Sequence, residues 1–156
     1  MPRDRRLTLD ATDRQLIRAL VDDGRMSYQQ LAARVHLSAT STAERVRRLH
    51  ASGVLSGYHA QLDLEALGRT LHAISDLKLK ENRSRPDFEA ALAGIPEVLS
   101  AVHTTGEYDY QLTLACTGTA DLQAVVDAVR RIGARDMHSR IILGEVVFDP
   151  TRLLDV

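Results

Sequence analysis

The chain has 156 residues with a formal net charge of -1, a length that suits one ordinary domain or two small ones, and its only cysteine, Cys116, rules out an intrachain disulfide framework. No segment approaches the ~20 apolar residues of a membrane-spanning helix, and the N-terminus MPRDRRLTLD is basic without the apolar core of a secretory signal, so a cytoplasmic protein is expected. The small net charge conceals an asymmetry: residues 1–60 hold ten Lys and Arg against six acids, a net +4, and residues 61–156 hold ten against fifteen, a net -5.

In chain order, Arg3, Arg5 and Arg6 form a basic arm able to touch phosphates. LDATDRQLIRALVDDG follows as a helix with Leu16, Ile17, Leu20 and Val21 on one side and Gly24 as its stop. RMSYQQLAARVHLSATSTAERVRRL then reads as two short helices around a tight turn. Ser27 caps the first, in which Leu31, Ala32 and Val35 make an apolar stripe; His36 and Leu37 fill the turn; Ser38 caps the second. On the second helix Thr42, Val46 and Leu49 share the buried side, which leaves Thr40, Glu44, Arg47 and Arg48 outward. In a helix-turn-helix the second helix enters the major groove, so Ser38, Thr40, Ser41, Glu44, Arg45, Arg47 and Arg48 are the candidate DNA-binding residues. Glu44 is placed either to accept from a cytosine amino group or to pair with Arg48 at i+4, and Arg45 either to reach a phosphate or to pair with Asp13. GVLSGYHAQLDLEALG predicts a short strand and a half-turn of helix leading to Gly68.

Beyond Gly68, Leu71, Ala73, Leu77 and Leu79 alternate with His72, Asp76, Lys78 and Lys80 as in a half-buried strand. Pro86, Phe88, Ala91 and Leu92 mark a helix ending near Gly94. A second strand spans Val98 to Thr104, and a third runs from Tyr108 to Cys116 with Tyr108, Tyr110, Leu112 and Leu114 on one side. Thr119 is expected to cap a helix that carries Leu122, Val125, Val126 and Val129 and closes at Gly133. A last strand covers about Arg135 to Phe148, with Ile141, Leu143 and Val147 on one face and Ile142, Val146 and Phe148 on the other, two apolar layers of which one subunit's helices cover only one. The order βαββαβ is that of a ferredoxin-like fold.

The pattern LD..D..LI..L..DGR.S...LA..V.LS.......RVRRL..SGVL.GY.A.LD...LG, from Leu9 to Gly68, resembles the N-terminal half of the Lrp/AsnC family, the feast/famine transcriptional regulators. The βαββαβ order and the turn TGEYDY resemble that family's C-terminal domain, so the resemblance covers roughly residues 9–148. It implies an α+β protein with a (winged) helix-turn-helix DNA-binding domain in residues 1–60, a hinge over 61–68, and a ferredoxin-like effector-binding and oligomerisation domain over 69–156. It further implies double-stranded DNA as partner, a homo-oligomer that is at least a dimer and of higher even number, and an amino-acid effector at an interface between subunits. Carried over by motif, the effector residues are Gly106, Tyr108 and Asp109 with Glu107 nearby. Where the family often shows Thr-x-Thr, this chain has Met137-His138-Ser139, with Met137 and Ser139 at the pocket.

Two other readings compete. One is an architectural DNA binder that ignores effectors. The other is a small-molecule or metal-binding enzyme, for which His72, His103 and His138, all on predicted strands of one sheet, are the metal candidates. Zinc wants three or four converging ligands, and the chain has neither a C-x-x-C nor an H-x-x-x-H pair. With no nucleophile motif, phosphate-binding glycine loop or HExxH, neither an enzyme nor a cofactor is expected.

Overall fold

The computed structural model describes residues 8–155, so the basic arm with Arg3, Arg5 and Arg6 lies outside the described residues. Contacts divide the chain into two units: one ends at Gln61 and takes in the chain from Val147 onward, the other spans Leu62–Val146.

In the helical unit, Asp10 caps helix α1 (Ala11–Asp22), accepting from the backbone of Asp13 while the Asp13 carboxylate reaches back to the amide of Asp10. Its buried positions Asp13, Leu16, Ile17 and Leu20 follow the helical repeat, joined by Ala19. Val21, expected on that stripe, is 47% exposed because it falls one step past its edge. The helix ends at Asp22 with Asp23 as its cap rather than at Gly24. Gly24 instead makes room for an aromatic ring: a Cβ there would stand 2.9 Å from Tyr58 Cδ1. Ser27 caps α2 (Tyr28–Val35) in a reciprocal box with Gln30, and Ser38 caps α3 (Ala39–Ala51) by accepting from the Ser41 amide. Between them His36 takes left-handed φ 55°, ψ 43°, a conformation that costs a β-carbon-bearing residue energy and turns the chain sharply enough to cross the two helices. Leu16, Ile17, Leu20, Leu31, Val35, Val46 and Leu49 form one apolar core.

Among the described residues no strand lies between α3 and Gly68, so the expected wing is absent; the segment after Ala51 meets no neighbouring strand to take its backbone hydrogen bonds. A turn then leads to Gly68 at φ 78°, where the Gly68 amide donates to Glu65.

The second unit is one antiparallel sheet of β1 (Leu71–Leu79), β2 (Val98–His103), β3 (Tyr110–Cys116) and β4 (Ala134–Ile141) in the order β2-β3-β1-β4, with α4 (Arg85–Leu92) and α5 (Thr119–Arg131) as crossovers. This is the ferredoxin-like arrangement. Ala73, Leu77 and Leu79 of β1 and Tyr110, Leu112, Leu114 and Cys116 of β3 pack against Phe88, Leu92, Val125, Val126 and Val129 of the helices. The opposite face of β1, with His72, Ile74, Asp76 and Lys78, is only partly buried. Tyr108 lies outside β3, and Thr119 is the first helical residue of α5 rather than its cap. The Asp121 carboxylate instead accepts from the Thr117 amide (2.8 Å) and hydroxyl (3.1 Å).

β4 stops at Ile141, seven residues before the expected end at Phe148, because its partner runs out: Ala73 pairs with Ile141, and β1 itself begins at Leu71. Past one last bond from the Ile142 amide to His72, Leu143, Val146, Val147 and Phe148 stand 67–98% exposed. The terminal segment, expected within a domain over 69–156, returns to the helical unit as a 3-10 turn (Pro150–Asp155). There Arg14 Nε donates to the Leu154 carbonyl at 2.8 Å, Arg18 pairs with Asp155, and Leu154 packs on the apolar core.

The Tyr110 hydroxyl supplies a pH test of the sheet unit. Burial, aided by the bond it donates to Glu89 Oε1 at 2.5 Å, pushes its pKa up to about 12 from the ordinary 10.0. Below pH 10 folded and unfolded chains both keep the proton; between about 10 and 12 only the folded chain does, so this contribution to stability is lost as pH rises through that window. Denaturant midpoints measured from pH 9 to 12 are expected to fall less steeply for Tyr110→Phe than for wild type, and parallel curves would refute the assignment.

Candidate nucleic-acid interface and effector turn

On α3 the capping of Ser38 and the burial of Thr42, Val46 and Leu49 set the rotation of the helix, so Thr40, Ser41, Glu44, Arg47 and Arg48 are exposed. Ser38 Oγ lies 3.0 Å from Ser41 Oγ, which commits the first turn to its own cap. Among the described residues Arg47 donates only to its own helix, from Nε to the Ala43 carbonyl at 3.3 Å. Arg34, in the last turn of α2 and passed over in the sequence, is a second exposed cation with no ion pair among the described residues.

Arg45 and Arg48 are different. Arg45 Nη1 reaches Asp10 Oδ2 at 2.7 Å and Asp13 Oδ1 at 2.8 Å, while Arg48 Nη2 reaches both Asp13 oxygens at 2.9 and 2.8 Å. The Asp13 side chain is 1% exposed. The expectation that Arg48 stands free for DNA is thus corrected: an exposed side chain ends in a guanidinium drawn back to a buried carboxylate, and its partner is Asp13 rather than Glu44. Of the alternatives for Arg45, the ion pair with Asp13 is the one present, with Asp10 as a further partner that the sequence reading missed. Those bonds hold the Asp10 carboxyl below its ordinary range, the backbone bond from Asp13 first and Arg45 second. At the far end of α3, His50 Nε2 sits 3.0 Å from the Tyr58 hydroxyl and Nδ1 3.0 Å from the Leu55 carbonyl, fastening the segment that follows.

In the sheet unit Gly106 takes φ 108°, a value open to glycine, and turns β2 back toward β3. Thr104 Oγ1 donates to the Tyr108 carbonyl at 2.8 Å, and Lys78 pairs with Glu107 at 3.3 Å while its ammonium lies 5.5 Å from the Tyr108 ring centre. Asp109 is fixed at two points: its amide donates to the Leu77 carbonyl at 2.9 Å, and its Oδ2 accepts from the Leu79 amide at 2.8 Å. Oδ1 carries no hydrogen bond among the described residues.

The expected effector residues divide between the two faces of the sheet. Tyr108 lies with Lys78 and, at 5.7 Å between ring centres, with His138 on the open face. Met137 is buried in the core under the helices, and Ser139 bonds Ser75 Oγ at 2.7 Å on that same covered side. Strand alternation is the reason, and it makes His138 the β4 residue beside the turn. Also on the open face, Asp76 accepts from Gln111 at 2.9 Å and pairs with Arg140. His72 contacts the Arg69 carbonyl and His103 packs with its ring tilted against Tyr110, so the three strand histidines have separate neighbours.

The comparisons follow this division of the chain. The AsnC-type helix-turn-helix domain matches residues 9–50, and the Lrp/AsnC ligand binding domain matches residues 72–151. The chain is similar to the HTH-type transcriptional regulator LrpA of Mycobacterium tuberculosis, 34% identical over 141 residues that cover 90% of this chain and 94% of that one. It is likewise similar to the leucine-responsive regulatory protein of Haemophilus influenzae, 31% identical over 94% of this chain and 90% of that one. Among solved structures, a transcriptional regulator of Neisseria meningitidis in complex with L-Met matches at a TM-score of 0.82 and 30% identity, covering 92% of this chain and 96% of that one. The feast or famine regulatory protein of M. tuberculosis complexed with L-methionine matches at 0.80 and 34%, covering 92% and 97%. With both domain patterns in order along one chain, the protein belongs to the Lrp/AsnC family and is a DNA-binding transcriptional regulator with a ligand-binding domain, not an enzyme.

Proposed function

We propose that the chain is a sequence-specific regulator that reads double-stranded DNA through α3 as a homo-oligomer and whose DNA affinity or assembly responds to an amino acid. The observation that carries the DNA reading is the exposed face of Thr40, Glu44 and Arg47 on a helix whose rotation is set by a capped start and a buried stripe. Thr40 and Glu44 suit base edges; Arg47 suits a guanine edge or a phosphate. Arg47→Ala is expected to weaken binding with the fold intact. A phosphate contact would flatten the salt slope by about one unit on any sequence, whereas a guanine contact would cost ~1–3 kcal/mol at one base pair. Fluorescence anisotropy on selected and random duplexes across a salt series separates the two, and unchanged affinity on both would refute α3 as the reading helix.

Self-association is supported by the apolar side chains that one chain leaves uncovered, among them Leu143 at 98% and Val147 at 79% exposure. A two-fold pair would present two reading helices to a pseudo-palindromic site, with the cytoplasm as the working compartment. Sedimentation of the full chain at micromolar concentration is expected to give a dimer or a larger even-numbered assembly; a stable monomer would contradict this.

The two relatives solved with L-Met, together with the unbonded Oδ1 of Asp109 beside Glu107 and Tyr108, support an amino acid at the Gly106–Asp109 turn. An ammonium there would gain a charge-assisted bond to Asp109. Asp109→Asn keeps an oxygen to accept from Leu79 but loses the charge, so its affinity for the best binder of an amino-acid panel should fall roughly ten- to a hundredfold, as for ~1.5–3 kcal/mol. Calorimetric titration tests this, and equal binding by wild type and variant would move the site elsewhere.

A further inference from the structure

An acidic side chain buried beneath a DNA-reading helix is chemically conspicuous, because desolvating a carboxylate is costly unless cations and donors surround it. Asp13 is almost wholly buried and receives three guanidinium bonds of 2.8–2.9 Å, one from Arg45 and two from Arg48, one turn apart on α3. Asp10 completes the cluster on Arg45. Two acids thus neutralise two of the three arginines of α3, and Arg47 is the one left without an acid partner among the described residues.

We propose that Asp13 is a positioning residue for DNA binding, one that holds Arg45 and Arg48 back from the phosphate backbone and so sets the sequence-independent part of the affinity. The proposal rests on α3 being the reading helix. Each phosphate that a protein cation neutralises releases a counterion and adds about 0.9 to the salt slope, whatever the base sequence. Cations withheld from phosphates lower affinity for random and selected DNA alike by that sequence-independent amount, while the contacts made by Thr40, Glu44 and Arg47 are untouched. That loss falls equally on random and selected DNA, so the withheld pair lowers overall affinity and its salt dependence and leaves base contacts to supply a larger share of the binding that remains. The same bonds orient both guanidinium planes from α1, which fixes the roll of α3 against that helix.

The test uses the full-length protein and a fluorescent random-sequence duplex beside a duplex selected for tight binding. Asp13→Asn keeps the size of the side chain and its capacity to cap but removes the charge that binds the two arginines. Its slope of log affinity against log salt is expected to steepen by about one to two units, with affinity for both duplexes at 0.1 M salt up roughly three- to tenfold and the selected-to-random ratio little changed. A purely structural role would weaken binding to both duplexes and leave the slope unchanged, and that result overturns the proposal. If Asp13→Asn does not fold, Arg48→Gln and Arg47→Gln in the otherwise wild-type chain decide. A slope unchanged by Arg48→Gln, with Arg47→Gln either flattening the slope by about one unit or weakening binding to the selected duplex, supports the proposal. Flattening by Arg48→Gln refutes it, and no effect of either variant refutes the reading of α3 and the proposal with it.

Discussion

The helical unit turns on the carboxylate of Asp13, which serves three purposes at once. It closes the capping box that starts α1, it fills a place in the buried stripe one turn before Leu16 and Ile17, and it anchors α3 through Arg45 and Arg48. An apolar residue in its place could pack as well, and by general experience a buried ion pair is often no more stabilising than such a replacement. What an apolar residue could not do is fix direction. Leucine against leucine tolerates a small roll of one helix on the other, whereas a carboxylate with both oxygens committed to guanidinium nitrogens does not. With α3 as the proposed reading helix, the roll angle decides whether Thr40, Glu44 and Arg47 reach base edges, so on that proposal the cluster serves recognition more than stability.

The sheet unit is governed by alternation and by where pairing ends. Odd-numbered residues of β1 face the helices and even-numbered ones the open side, and the β1–β4 register shifts between Asp76 and Lys78, with Asp136 at φ 47° across from it. Such an irregularity inserts a residue on one strand, bends it and re-aims the side chains beyond it. Here it leaves Met137 and Ser139 on the covered side and turns His138 toward Tyr108. The covered side is filled by the chain's own helices over β1 and β3, while Ile141 at its β4 edge stays 49% exposed. The open side mixes Asp76, Arg140, Gln111 and Lys78 with half-buried Ile74, a composition closer to a partly desolvated interface than to ordinary surface.

Much of this was legible in the residues. Ser27, His36 and Ser38 mark the two helices and their turn because capping and positive φ are local demands written into single side chains. The βαββαβ order was legible because helical and strand periods differ over runs of seven or more residues. What failed was set by neighbours distant in sequence. Gly24 looks like a helix stop, and only the fold reveals that Tyr58 needs its space. A strand after α3 and another out to Phe148 have the right composition, yet a strand exists only where a partner runs alongside. Arg48 points outward by its place on the wheel, but a long side chain can bend back to an acid that the wheel of its own helix does not contain. For Met137 and Ser139 the alternation was present in the sequence; the family pattern Thr-x-Thr drew attention to them and away from His138.

The bonding of Asp109 limits how an effector could act. Its amide and carboxylate grip Leu77 and Leu79, the residues on either side of Lys78, and Lys78 in turn pairs with Glu107. The turn is therefore stitched to the point where the β1–β4 register shifts. An effector changes an equilibrium only through its different affinity for two states, typically ~1–3 kcal/mol of coupling. A ligand that took Oδ2 would strip the amide of buried Leu79, at a cost of ~1–3 kcal/mol that consumes the whole of that coupling. A ligand that took Oδ1 would leave the amide bonded and pull on the same carboxylate. The second course is the cheaper one, and it passes any displacement of the turn directly into the backbone of β1 at the register shift, from which the positions of Lys78 and His138 on the open face follow.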